Sequence, residues 1–196
     1  MSWRVDSLIK TIEPEILNKA SQSVEHLLKE LEANRDSIVS SFNNAFTCGL
    51  EKVALAQPDK GKIEYIHMSY LLSSLLTGKF ELRIDFYNNE RYLDEIETEA
   101  YWTADFIASY FEEDFRYFQS LLKKEHVRVK DYEVRNLAVD FGGLYLSAFA
   151  VSFQSILTEL PVNRFLHLFE EQVSIVYGGF QDKSMPISTI NLQGST

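Results

Sequence analysis

The chain has 196 residues, 45% of them hydrophobic, with 14 Phe and 10 Tyr; that apolar content excludes a wholly disordered chain and suits one domain of moderate size. Its 29 acidic and 19 basic side chains leave a net charge of −10, a field that repels nucleic-acid phosphates and anionic membranes, so neither nucleic acid nor membrane is an expected partner. The lone Cys48 excludes an internal disulfide and a cysteine-based zinc site.

Met1 to Lys10 lacks a signal-peptide core, and no apolar run reaches the ~18 residues of a membrane span. The expected setting is the reducing cytoplasm.

In chain order, residues 14–33 predict a helix. Leu17, Ala20, Val24, Leu27, Leu28 and Leu31 recur at helical spacing, and Pro14 suits a first turn, where its missing N–H is not needed. A second helix is predicted over 36–56, with Ile38, Phe42, Ala45, Phe46, Gly49 and Val53 on one face. The run Gln57-Pro58-Asp59-Lys60-Gly61 breaks it. Residues 62–77 read as a third helix closed by Gly78.

The period then changes to 2. Phe80, Leu82, Ile84 and Phe86 alternate with charged residues, as in a half-buried strand. Asn88-Asn89 supplies a hairpin turn, and Arg91 to Ile96 is the expected return strand, giving one β-hairpin at about 79–96.

A fourth helix is expected from Thr103 to about Glu125, with aromatics over more than half its circumference. Asp131 to Leu160 reads as a long helix. Its second half, Phe141 to Leu157, is apolar nearly all round and is the expected central, enclosed element. A last helix is predicted over Val162–Tyr177, and 181–196 is a polar tail, mobile or adding one short strand. The fold class so implied is mainly α: about six helices around a central hydrophobic helix with one hairpin, over residues 1–180.

Six side chains carry the candidate chemistry. Glu64 and His67 stand three apart on the predicted third helix, the spacing a carboxylate-bridged metal bundle uses. The chain has only this one such motif, so no metal and no cofactor is expected. Asp114 falls within the aromatic arc of its helix and must be paired or neutralised there; a structural tie to a Tyr hydroxyl is the plainer reading. Asp140 and Tyr145 border the enclosed helix. Asp140-Phe141-Gly142 spells a kinase triplet, but no glycine-rich or catalytic loop accompanies it. Cys48 lies in a helix body with no histidine placed beside it.

No phosphate loop, dinucleotide fingerprint or zinc-protease motif is present. Residues 1–50 hold no basic helix-turn-helix. The sequence therefore points to a non-enzymatic interaction module that binds another protein or itself. Tyr87, Tyr92, Tyr101 and Trp102, flanking the hairpin, are its candidate patch. The alternative is a small-molecule binder or enzyme with a pocket between the central helices. Glu64, His67, Asp114, Asp140 and Tyr145 would be its polar groups.

Overall fold

In the computed structural model, helix α1 (Trp3–Ala33) takes Pro14 into its body. Ile12 and Ile16, on either side of that proline, are buried in one cluster with Ala20, Phe118 and Leu122. Burial of this stripe offsets the backbone hydrogen bond that Pro14 cannot give. The structure describes residues 3–71, 77, 79–125, 130–179 and 183–192, with the backbone alone at 3–9, 11, 125 and 131–141.

The order continues with α2 (Arg35–Lys60), β1 (Ile63–Tyr70), β2 (Glu81–Tyr87), a 3-10 turn (Arg91–Leu93), β3 (Glu99–Thr103), α3 (Asp105–Glu125), α4 (Asp131–Leu157), a second 3-10 segment (Val162–Leu168), β4 (Phe169–Gly179) and β5 (Ser184–Asn191). The strands form one sheet in the order β3-β2-β1-β4-β5. β1 and β4 run parallel at its centre, and the other pairs are antiparallel.

This α+β architecture overturns the mainly-α, helical-bundle expectation. The error lies in two segments. β1 occupies the predicted third helix, and β4 takes most of the predicted last one. Both are interior strands, and in β1 the positions 66–69 are buried on both faces, which removes the alternation that marks a half-buried strand. From the second 3-10 segment into β4, Phe165, Phe169, Val173 and Val176 happen to fit helical spacing, whereas Val173, Ile175 and Tyr177 are the buried alternating set of β4. The hairpin partner is also displaced. The return strand is Glu99–Thr103, not 91–96, because 91–96 is held in a loop by Asp94, as described below. Residues 184–191 of the polar tail pair with β4 as β5.

The chain forms two compact units. The first comprises Met1–Ala33, Leu72–Phe80 and Ala104–Phe149. Here α3 packs on α1 and α4: Phe118 joins the α1 cluster, and the Phe111 ring meets Tyr145 edge-on at 5.9 Å. The second comprises Asn34–Leu71, Glu81–Thr103 and Ala150–Thr196, and holds α2 and the whole sheet.

The α2 helix lies on the sheet face that carries Phe86, Ala100 and Trp102. Phe46 packs against Phe86 with the rings tilted, centroids 5.4 Å apart, and Phe42 meets Trp102 and Phe153 edge-on. At Gly49 the helix comes so close that an added Cβ would stand 2.4 Å from the Phe86 ring.

The enclosed helix also needs correction. Tyr145, Phe149, Phe153 and Ile156 on α4 are buried, but Val151 is 73% and Leu144 40% exposed. α4 is therefore two-faced, with an apolar residue left on its outer side. Its Gly143 leaves open space for a Cβ.

Candidate functional site

Two buried polar clusters hold the residues singled out by sequence, one in each unit. In the first, Asp114 on α3 is fully buried. Ser23 donates to its Oδ1 at 2.8 Å, Tyr145 donates to its Oδ2, and Lys19 Nζ stands 3.3 Å away. Burial, then the Asp114 bond, push the Tyr145 phenol far above its ordinary pKa. Both carboxylate oxygens are engaged, so the cluster ties α1, α3 and α4 together and offers nothing to a ligand. Asp140 lies on α4, and its side chain is outside the described residues.

Glu64 and His67 belong to the second unit, on β1 rather than on a helix. In a strand, positions three apart point to opposite faces, so the metal-like pairing does not form. Glu64 Oε1 accepts from Tyr65 Oη at 2.7 Å. Among the described residues, no three His, Cys, Asp or Glu side chains come together to hold a metal ion.

The face of the sheet turned away from α2 is set by register. Tyr65 stands opposite Tyr87 and Ser174, and His67 opposite Asp85 and Val176. Tyr65, His67 and Ser69 therefore share this face with Tyr87, Asp85 and Arg83. The loop from Asn88 to Thr98 contributes at one end. It is anchored by an ion pair with both side chains buried, Lys60 Nζ to Asp94 Oδ2 at 2.5 Å. Lys60 also donates to the Ile96 carbonyl at 2.5 Å. Asp94 further accepts from the Asn88 and Ile96 backbone N–H groups, and Asn88 Nδ2 donates to the Lys60 carbonyl. Arg91 in this loop has φ +54°, a left-handed conformation uncommon outside Gly, Asn and Asp.

So held, the loop brings Arg91 and Tyr92 to the sheet. The Arg91 guanidinium lies 4.0 Å above the Tyr65 ring. Tyr92 meets the Tyr87 and His67 rings edge-on, and its hydroxyl shares a 3.1 Å hydrogen bond with His67 Nδ1. An open cleft of about 320 Å³ results, lined by Tyr65, His67, Tyr87, Arg91, Tyr92, Ser174, Val176, Ser184 and Pro186.

At its wall, His67 is only 2% exposed, and burial holds its imidazole below the ordinary histidine pKa. The ring is therefore neutral at neutral pH. Its Nε2 is buried and makes no hydrogen bond among the described residues, and Ser69 Oγ and Asp85 Oδ2 beside it on the same face are in the same condition. Asp85 pairs with Arg83 through its other oxygen at 2.7 Å, yet burial still raises its pKa. Burial, chiefly, also raises the Tyr87 phenol, which keeps it a donor. Buried polar atoms are rarely left unbonded, and of the four among the described residues three lie on this face, the fourth being Asn43 Oδ1 on α2.

Of the expected aromatic patch, Tyr87 and Tyr92 line the cleft. Tyr101 lies on β3 and is 46% exposed, whereas Trp102 is buried on the α2 side, its Nε1 donating to Ser41 at 3.1 Å. Cys48 is exposed. Sequence reasoning missed Tyr65, Ser69, Asp85 and Arg91. The alternation Tyr65, His67, Ser69 was a usable signal once 63–70 is read as a strand; nothing local marks Arg91. No family model, curated protein or solved structure matches the chain.

Proposed function

We propose that this chain is a small-molecule-binding protein whose site is the tyrosine-lined cleft on the open sheet face. One observation carries the reading. A fully buried, neutral histidine, oriented through Nδ1 by Tyr92, has its second ring nitrogen unpartnered at the wall of a cavity of about 320 Å³. Ligand sites are mostly apolar concavities with a few placed polar groups, at and above this size. In the tautomer in which Tyr92 donates to Nδ1, the neutral imidazole carries its proton on Nε2, which a ligand reaching it would meet as a donor.

No helix of the described residues is long and apolar enough to cross a membrane. We place the protein in the cytoplasm, in keeping with its unpaired cysteine. Sequence reading favoured a protein-interaction surface, but Tyr87 and Tyr92 of that patch are committed to the cleft.

A thermal-shift screen with small aromatic and heteroaromatic fragments tests the reading. Fragments that bind should raise the melting temperature of the wild type and lose that effect in His67→Phe, where the new ring offers no donor. Shifts equal in both proteins, or none in either, overturn it.

A further inference from the structure

We infer that the cleft takes a small aromatic carboxylate, its ring among Tyr65, Tyr87 and Tyr92 and its carboxylate against Arg91. The inference rests on the ligand-binding reading and adds the charge and shape of the occupant.

The net charge of −10 would draw cations to this protein at large, but the lining says the opposite. Among the described residues no carboxylate lines the cleft, and Arg91 is its one cationic side chain. The acids that border it are engaged elsewhere. Glu64 accepts from the Tyr65 hydroxyl, Asp85 and Glu97 stand at Arg83, and Asp94 is held by Lys60. Arg91, by contrast, is exposed and makes no ion pair among the described residues; its contact is the Tyr65 ring. A guanidinium over an aromatic face keeps its N–H edge free for a planar acceptor. Around it the Tyr87, Ser174 and Ser184 hydroxyls can each donate to a carboxylate. The Tyr87 and Tyr92 rings meet edge-on at 5.5 Å and give the cleft an aromatic wall suited to a flat apolar body.

The test is a titration of the full chain with benzoate, benzamide and benzylamine, followed by the His67 imidazole signal in NMR and assigned with His67→Phe. Benzoate should bind about tenfold or more tightly than the neutral and cationic analogues, the usual worth of a charge-assisted pair. Arg91→Asn, which tolerates the positive φ, should remove that preference and leave benzamide unchanged. If benzamide or benzylamine binds as well as benzoate, the charge assignment is overturned while the cleft remains a ligand site. If none of the three moves the His67 signal, the inference fails, and the fragment screen alone decides the broader reading. An Arg91→Asn variant that retains the full preference for benzoate also overturns it.

Discussion

The two units each bury a carboxylate or imidazole beside a tyrosine, and they treat it differently. Around Asp114 every oxygen is matched: Ser23, Tyr145 and Lys19 converge on it. On the sheet face, His67, Ser69 and Asp85 each keep one buried polar atom unmatched. Burial alone therefore does not distinguish scaffold from site. A saturated cluster has finished its chemistry in folding, whereas an unsaturated one carries a desolvation cost that a bound molecule can relieve.

The comparison can be broken by substitution. The largest effect is expected at the loop anchor. Lys60→Met leaves the buried Asp94 charge uncompensated, which should cost about 4 kcal/mol in urea unfolding and weaken fragment binding by releasing Arg91 and Tyr92. A loss of stability with binding intact would separate the loop from the site.

Next, Asp114→Ala strands the Ser23 and Tyr145 hydroxyls and should cost about 3 kcal/mol without altering binding to the cleft. Gly49→Ala forces a methyl toward Phe86 on the apolar face of the sheet. A loss of about 2 kcal/mol, again by urea unfolding, would show that this face tolerates no added volume.

The smallest effect is a pH slope. Burial lowers the His67 pKa from 6.5, so below that value the unfolded chain binds a proton that the folded chain refuses. The stabilisation is present above pH 6.5 and lost as the pH falls through the folded pKa. Stability of the wild type, followed by urea midpoints across this range, should fall more steeply on acidification than that of His67→Phe.

How much of this was legible in the sequence follows from which forces are local. The α2 stripe of Phe42, Phe46 and Val53 and the alternation from Leu82 to Phe86 are read directly from periodicity, because one face meets the core and the other does not. β1 defeated periodicity because positions 66–69 are buried on both faces, β4 because Phe165 and Phe169 join its Val173 and Val176 in an accidental helical stripe, and their parallel pairing joins segments more than 100 residues apart. Misreading β1 as a helix put Glu64 and His67 on one face when the pleat separates them. It also hid the Tyr65–His67–Ser69 row. Asp114 needed no such context, since a carboxylate within an aromatic arc must find partners wherever the helix docks. Arg91 was not legible at all: its place depends on a loop held by Lys60 and Asp94, distant in sequence, and on a positive φ that its residue type does not favour.

Urea unfolding of His67→Phe at pH 7.5, beside the wild type, tests most directly whether unmatched polar atoms mark the site. Replacing a buried polar ring whose Nε2 is unmatched among the described residues by an apolar ring of similar shape should leave the unfolding free energy within about 0.5 kcal/mol or raise it, since its Nδ1 partner, the exposed Tyr92 hydroxyl, can turn to water. A loss comparable to that of Asp114→Ala would make His67 a second structural tie and remove the contrast between the units.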